Sequence, residues 1–319
     1  MTIAGHLWTI APKLQPLPPE PAAVPWATVV EDPELGPVRL TGRWSPAPGA
    51  RRAVLLVHGI TGCAESRYMR TAAAAALGMG LSVLRISLRG CDRAGDDYYH
   101  AGLAGDLGAA LGSPELDDVD TVVALGFSLG GHLALRLAAG PPVPRLAAVA
   151  AVCSPLDLAA GQRSIDGSRL GLYRRYVLRG LKDIYACCVA RRPGPLPLAE
   201  ARRIRTLREW DGRIVAPRHG FAGADDYYAR ESAGPRLPGL TVPALLVAAA
   251  ADPMVPAETL HPWLERAPDR LAVRWIGGGH LGFPGGLVLD PEEAEAGAPV
   301  REQATLDAQV LRWLASRTG

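Results

Sequence analysis

The stretch LGFSLGGHLAL (125–135) places a serine, Ser128, between Gly126 and Gly130, with an apolar run before it and a helix-forming run after it. A serine hydroxyl becomes a nucleophile only where a neighbouring base can take its proton. The pentapeptide G-x-S-x-G is weak evidence alone: with 36 glycines in 319 residues, chance produces it in about one such chain in seven. Its setting carries more. VDTVVALGF (119–127) reads as a buried strand, and LGGHLALRLAAG (129–140) as a helix closing on Gly and Pro. A serine with no gap on either side sits on a strand–turn–helix elbow. There the hydroxyl projects at a helix N-terminus, where negative charge is favoured.

Three further parts are needed. The base is expected at His280, in WIGGGHLGF just past the last strand. The other histidines fit less well. His6 precedes the fold, His132 lies one turn into the helix after Ser128 and points away, His219 lies in a later helical stretch, and His261 is within a helix. The orienting carboxylate has two candidates that follow strands, Asp157 in CSPLD and Asp252 in AAADP. Asp252 is favoured because it follows its strand directly and gives the chain order Ser…Asp…His. The N–H groups that would hold an oxyanion are those of Ile60, in HGITG (58–62), and Leu129, next after the serine. His58 is expected to brace that loop.

The elements that must position these groups alternate. Apolar strands are expected at 51–59, 81–90, 119–127, 145–155, 242–252 and 270–280, with helices at 66–80, 98–112, 129–140, 256–267 and 301–317. Such alternation means a doubly wound, mostly parallel sheet with helices on both faces. Ligands bind it beyond the carboxyl ends of the strands. The pattern breaks between 158 and 238, which gives amphipathic helices but no convincing strand. The expected division is a core of residues 1–157 and 239–319, a helical cap of 158–238, and an extended Pro-rich arm over 1–25. Strands before residue 50 look short.

Matches to LLVHGITGCAESRYMR, LRGCD, YYHAG, GFSLGGHLAL, SPLDL, LREWDG, HGFAGADDYYARES, VPALLVAAAADPMVP and GGGHLGF, in this order over about residues 52–285, resemble the α/β-hydrolase superfamily. Within it the chain is similar to the YheT-type hydrolases and their ABHD and Emb8-like relatives. The resemblance implies the α/β-hydrolase fold with a cap. It also implies cleavage of carboxylic esters, lipid or acyl esters in several members, by a Ser128–His280–Asp252 triad with no cofactor and no metal. The stretches DDYYHAG (96–102) and GADDYYARES (223–232) both have family counterparts and are expected as loops at the seam of cap and core. Asp92 stands where the family often has Gly. A thioesterase or acyltransferase on the same triad, and a catalytically silent binding protein, are the alternatives.

Composition bounds the rest. Hydrophobic content of 48% with 21% charged residues suits a globular chain, and the net charge of +2 gives no general basic field. No nucleic-acid recognition motif is present, and no spanning helix or secretory leader is expected. The five cysteines lack zinc-ligand spacing and are expected to be reduced, in a cytoplasmic setting. The expected partner is a small-molecule ester. Charge is uneven, however: residues 158–218 hold 14 Arg and Lys against 5 Asp and Glu. A helix at 173–189 is expected to pack Tyr173, Val177, Leu181, Ile184, Tyr185 and Cys188 inward and leave its arginines outward. The excess of basic residues raises the expectation of weak association with anionic membranes or of attraction for acidic substrates.

Overall fold

The computed structural model describes residues 2–168, 171–289 and 305–318. The chain opens on helix α1 (Ile3–Leu14), then an antiparallel hairpin of β1 (Val24–Asp32) and β2 (Gly36–Ser45). The alternation follows as β3 (Arg52–Val57), α2 (Arg67–Gly78), β4 (Ser82–Ser87), α3 (Ala104–Leu111), β5 (Thr121–Phe127), α4 (Leu129–Ala138) and β6 (Leu146–Val152). Between β6 and β7 (Ala244–Ala249) come only helical segments, among them α5 (Leu158–Asp166), α6 (Leu172–Val189) and the helix Ala224–Glu231. Strand β8 (Leu271–Ile276) and the C-terminal helix Leu306–Ala315 complete the order.

The eight strands form one sheet in the order β1-β2-β4-β3-β5-β6-β7-β8, parallel from β4 to β8. Residues 53–57, 82–87, 122–127 and 244–249 are buried throughout, as parallel strands covered on both faces must be. The β1–β2 hairpin alternates buried and open positions because one of its faces meets solvent. One apolar core packs α2 and the C-terminal helix against one face of the sheet. The other joins α3, α4 and the insertion to the opposite face.

Several sequence expectations need correction. The strands before residue 50 are long, nine and ten residues, and pair through nine cross-strand positions. The N-terminal arm is not extended over its first half. Thr2 caps α1 by accepting from the Gly5 N–H at 3.2 Å, and Pro12 is the only proline within the helix. The prolines at 16, 18, 19 and 21 end the helical run rather than prevent it. The expected helix over 98–112 starts only at Ala104, because Tyr98–Gly102 is held as a loop by Tyr99 Oη on Thr61 N and His100 Nδ1 on Gly102 N. The expected helix 256–267 breaks into two short turns, Ala257–Thr259 and His261–Leu264. Residues 224–231 are a helix, not a loop. The start of the expected helix 301–317 lies outside the described residues. On α6 the predicted inward residues are indeed the buried ones.

A buried charged cluster ties the insertion to the core. Arg89 binds Asp106 by two hydrogen bonds at 2.8 Å, Asp32 at 2.6 Å and Asp97 at 2.9 Å. Arg218, from the insertion, grips Asp97 with two hydrogen bonds at 3.0 and 2.8 Å and lies 3.1 Å from Asp32. Burial alone would raise the Asp32 pKa. The Arg89 guanidinium, two backbone N–H groups and Arg218 overcome it and hold the carboxyl well below the usual range.

Candidate active site

Ser128 stands between β5 and α4 at φ 52°, ψ −119°, a conformation side chains seldom adopt. Crowding of the turn enforces it: a Cβ on Gly126 would lie 2.3 Å from Gly130 backbone atoms, and one on Gly130 would lie 2.2 Å from the Val57 carbonyl oxygen. Of the six described non-glycine residues with positive φ, four (Thr61, Ser128, Cys153 and Leu281) lie on the loops that leave the strands around this serine. Strain of this kind persists only where surrounding structure over-determines it, and it clusters at functional sites.

His280 occupies the tip of a tight turn after β8, closed by the Gly279 N–H donating to the Gly282 carbonyl at 2.8 Å. Its Nε2 is 3.0 Å from Ser128 Oγ, and its Nδ1 is 2.8 Å from Asp252 Oδ2. The other Asp252 oxygen accepts from the N–H groups of Met254 and Val255 at 2.8 and 3.0 Å, which fixes the carboxylate's plane. All three side chains are buried. Asp157 lies elsewhere: it caps α5, accepting from the Ala160 N–H at 2.8 Å. His132 is spent on the carbonyls of Pro155 and Glu231.

Ile60 and Leu129 line the same pocket as Ser128 and His280. Around Ile60 the loop is pinned by Gly59 N on Tyr68 Oη, Thr61 N on Tyr99 Oη and Gly62 N on the Gly59 carbonyl. Leu129 opens α4, so its N–H has no carbonyl one turn back. Among the described residues no protein acceptor takes up the N–H of Ile60 or of Leu129. His58 braces this loop from behind: Nδ1 meets the Gly59 carbonyl at 2.7 Å and Nε2 accepts from Leu88 N at 3.0 Å. Burial lowers its pKa to about 4, so it stays neutral.

The pocket beside these groups is mostly apolar. The insertion supplies about half of its wall, with Leu158, Ile165, Leu181, Leu207, Trp210 and Val215 prominent. A hydrogen-bonded polar pair interrupts it. Tyr228 Oη donates to Asp211 Oδ2 at 2.6 Å, and burial pushes the Asp211 carboxyl up to about 7. His100 also faces the pocket, its ring centroid 4.4 Å from that of His219 with the two rings tilted by 45°, and burial drives its pKa well below the ordinary value, with His219 adding to the effect.

Among the described residues one trio of metal-binding side chains comes together, Cys153, Asp252 and His280, with donor atoms within 4.8 Å. Asp252 and His280 are joined to each other, and His280 in turn to Ser128. Burial, then the Asp252 charge, pushes the Cys153 thiol well up, away from the thiolate a metal takes.

Sequence reasoning did not find Thr9 of α1, whose Oγ1 accepts from the His280 N–H at 2.8 Å. The apolar spacing of Ile3, Leu7, Ile10 and Leu14 was the available signal for that helix. It also did not find the pocket role of Asp211 and Tyr228. The two DDYY stretches touch, through Ala101 N donating to Tyr227 Oη at 2.9 Å.

Residues 54–296 match the family described as "Alpha/beta hydrolase family". The YheT protein of Escherichia coli (strain K12), which carries an esterase name, is 33% identical over 298 residues, covering 90% of this chain and 86% of its own. The embryogenesis-associated protein EMB8 of Picea glauca is 24% identical over 262 residues, covering 77% of this chain and 55% of its own. Monoacylglycerol lipase ABHD2 of Danio rerio is 27% identical over 186 residues, or 54% of this chain and 44% of its own. Among solved structures, the Pyrococcus furiosus esterase Pf2001 superposes with a TM-score of 0.57 at 16% identity, covering 96% of this chain and 98% of its own. That likeness speaks to the fold alone. No helix among the described residues is long and apolar enough to cross a membrane.

Proposed function

Since the chain belongs to the alpha/beta hydrolase family, we propose that it cleaves carboxylic esters through a covalent acyl-serine. The observation that carries this reading is the unbroken line from Ser128 Oγ to His280 Nε2 and from His280 Nδ1 to Asp252, at 3.0 and 2.8 Å, on the wall of an apolar pocket. A buried serine, imidazole and carboxylate in this order lack only a reacting carbonyl. Names carried by relatives, an esterase and a monoacylglycerol lipase, agree with it.

In this mechanism Ser128 Oγ attacks the ester carbonyl as His280 Nε2 takes its proton. The imidazolium that forms is stabilised by Asp252, which also holds the ring with Nδ1 protonated. The carbonyl oxygen becomes an oxyanion and accepts from the free N–H groups of Ile60 and Leu129. Expulsion of the alcohol, with the proton returned from Nε2, leaves the acyl group on Ser128. A water activated by the same imidazole then releases the acid.

The pocket supports an acyl group as the buried half of the substrate. Its walls are mostly aliphatic and aromatic, as small-molecule sites usually are. The insertion 158–238 acts as the cap over a core formed by 1–157 and 239–319.

The test is covalent labelling. A fluorophosphonate probe is expected to modify Ser128 alone, located by peptide mass, and acyl esters of graded length are expected to turn over. Ser128→Ala is expected to abolish labelling and lower kcat by about 10⁶-fold. A folded Ser128→Ala variant that keeps turnover within tenfold of the parent overturns the reading.

A further inference from the structure

Helix α1 is packed the wrong way round for a helix on a protein surface. Such a helix normally turns its apolar stripe inward. Here the inward side is small and polar, with Gly5 and Thr9 buried, while Ile3, Leu7 and Leu14 stand 81%, 63% and 81% exposed. The spacing 3, 7, 14 puts all three on one face. Trp8 and Leu17 widen the patch. In water this arrangement gains nothing for the folded chain.

The helix is nevertheless held firmly. A Cβ on Gly5 would lie 1.9 Å from the Ala251 carbonyl oxygen, and one on Gly282 would lie 1.8 Å from that of Trp8, so α1 meets the two triad-bearing loops backbone to backbone. Thr9 holds the His280 N–H. His6 Nδ1 is 2.6 Å from Tyr173 Oη, with the two rings stacked, and the Lys13 ammonium lies 3.5 Å from the Tyr176 ring centroid. The apolar face of α1 therefore continues onto α6, where Leu172 and Tyr176 are half exposed.

Charge decides what this face meets. Most basic residues of the insertion are engaged. Arg208 pairs with Asp225, Arg213 with Glu200 and Glu209, and Arg218 with Asp97, while Arg174, Lys182, Arg191 and Arg192 bind backbone carbonyls. Arg175 and Arg179 have no partner among the described residues, and they share the outward side of α6 with Leu172 and Tyr176. An apolar patch flanked by unpaired arginines and Lys13 fits a surface that is apolar within and anionic without. A two-fold contact with a second copy would set those same cations against one another.

We propose that the joined outer faces of α1 and α6 dock the protein on an anionic lipid surface, with Ile3, Leu7, Leu14, Leu172 and Tyr176 entering the interface and Arg175 and Arg179 lying over the head groups. This goes beyond ester cleavage and does not depend on it. It places the membrane beside the loops that bear Asp252 and His280.

The experiment is flotation of the full chain with vesicles of phosphatidylcholine alone or mixed with phosphatidylglycerol, at low and high salt. Binding is expected to the mixed vesicles and to weaken with salt. Leu7→Asp is expected to lower the bound fraction at least about tenfold, by the cost of losing one buried leucine. Arg175→Gln and Arg179→Gln are each expected to lower it about fivefold and to flatten the salt dependence. Melting temperature, and turnover of a short water-soluble ester, are expected to stay unchanged in all three. Failure to float with mixed vesicles, or binding untouched by Leu7→Asp in a folded variant, overturns the proposal. So does a dimer by light scattering that Leu7→Asp dissolves while vesicle binding is nil. Flotation is read without turnover, so an inactive chain that still floats counts against the esterase reading and for the docking one.

Discussion

The carboxyl edge of the sheet and the helical wall that faces it build one pocket by different means. At the edge, each residue of the proposed chemistry sits within a few residues of the end of a strand: Ile60 after β3, Ser128 after β5, Asp252 after β7 and His280 after β8. Backbone hydrogen bonds of a parallel sheet fix those ends, and local strain aims the side chains. Across from it, α5, α6 and the short segments 198–218 supply mainly apolar bulk, with Asp211 a polar exception. Their positions follow from apolar packing and from the Arg218 grip on Asp97. The edge is thus a place where identity matters residue by residue. The wall is one where volume matters and identity is loose.

The sharpest way to break that contrast is at the carboxylates. Asp252→Asn is expected to lower kcat by about 10⁴-fold, because the imidazole loses its orienting acceptor and its charge partner. Asp157→Asn is expected to leave kcat within threefold of the parent, because Asn caps a helix about as well as Asp. Steady-state kinetics on one ester decides it. If Asp157→Asn is as damaging as Asp252→Asn, strand-end position is a poor guide to chemistry in this chain.

A smaller effect is expected from the wall. Leu181→Trp fills part of the pocket and is expected to lower kcat/KM about tenfold for long acyl esters while sparing the shortest ones. Parallel loss across all chain lengths would mean that the wall positions the reacting groups as well as the substrate.

The finest probe is pH. The Asp211 carboxyl is raised by burial to about 7 from an ordinary value of 3.8. The folded chain therefore keeps this proton after the unfolded chain has lost it. The contribution to stability is full below about pH 4, declines as pH rises towards 7, and is level above. Asp211→Asn keeps a polar partner for Tyr228 and cannot ionise. Against the parent, its Tm is expected to be about 5 °C higher at pH 8 and unchanged at pH 4. Equal differences at both pH values would show that the carboxyl is not held protonated.

These two regions also differed in how far the sequence could be read. Ser128 announced itself because strand, elbow and helix follow one another without a gap, and His280 and Asp252 because each trails an apolar run. Short-range patterns express short-range causes. Asp211 gave no such sign: an acid in LREWDG becomes a pocket residue only when α5, α6 and the helix 224–231 close around it. Helix α1 was missed for a second reason. Its prolines outweighed its periodicity, although only Pro12 lies inside the helix. Its partner Thr9 reaches His280 across 271 residues, beyond any local signal. The β1–β2 hairpin was underread because its strands alternate apolar and polar residues instead of forming continuous runs.

The Arg89 cluster gives the joint between wall and sheet a distinctive response to ionic strength. Counter-ions weaken pairs that water can reach, over a Debye length of about 8 Å at physiological salt and about 3 Å at 1 M. The exposed pairs Arg208–Asp225 and Arg213–Glu200 fall in that class. Arg89, Asp32 and Asp97 are closed off from solvent, and Arg218 nearly so. In brine the outside of the wall loses its electrostatic ties while its inner attachment keeps them, so the pocket keeps its shape under conditions that strip the surface of its pairings.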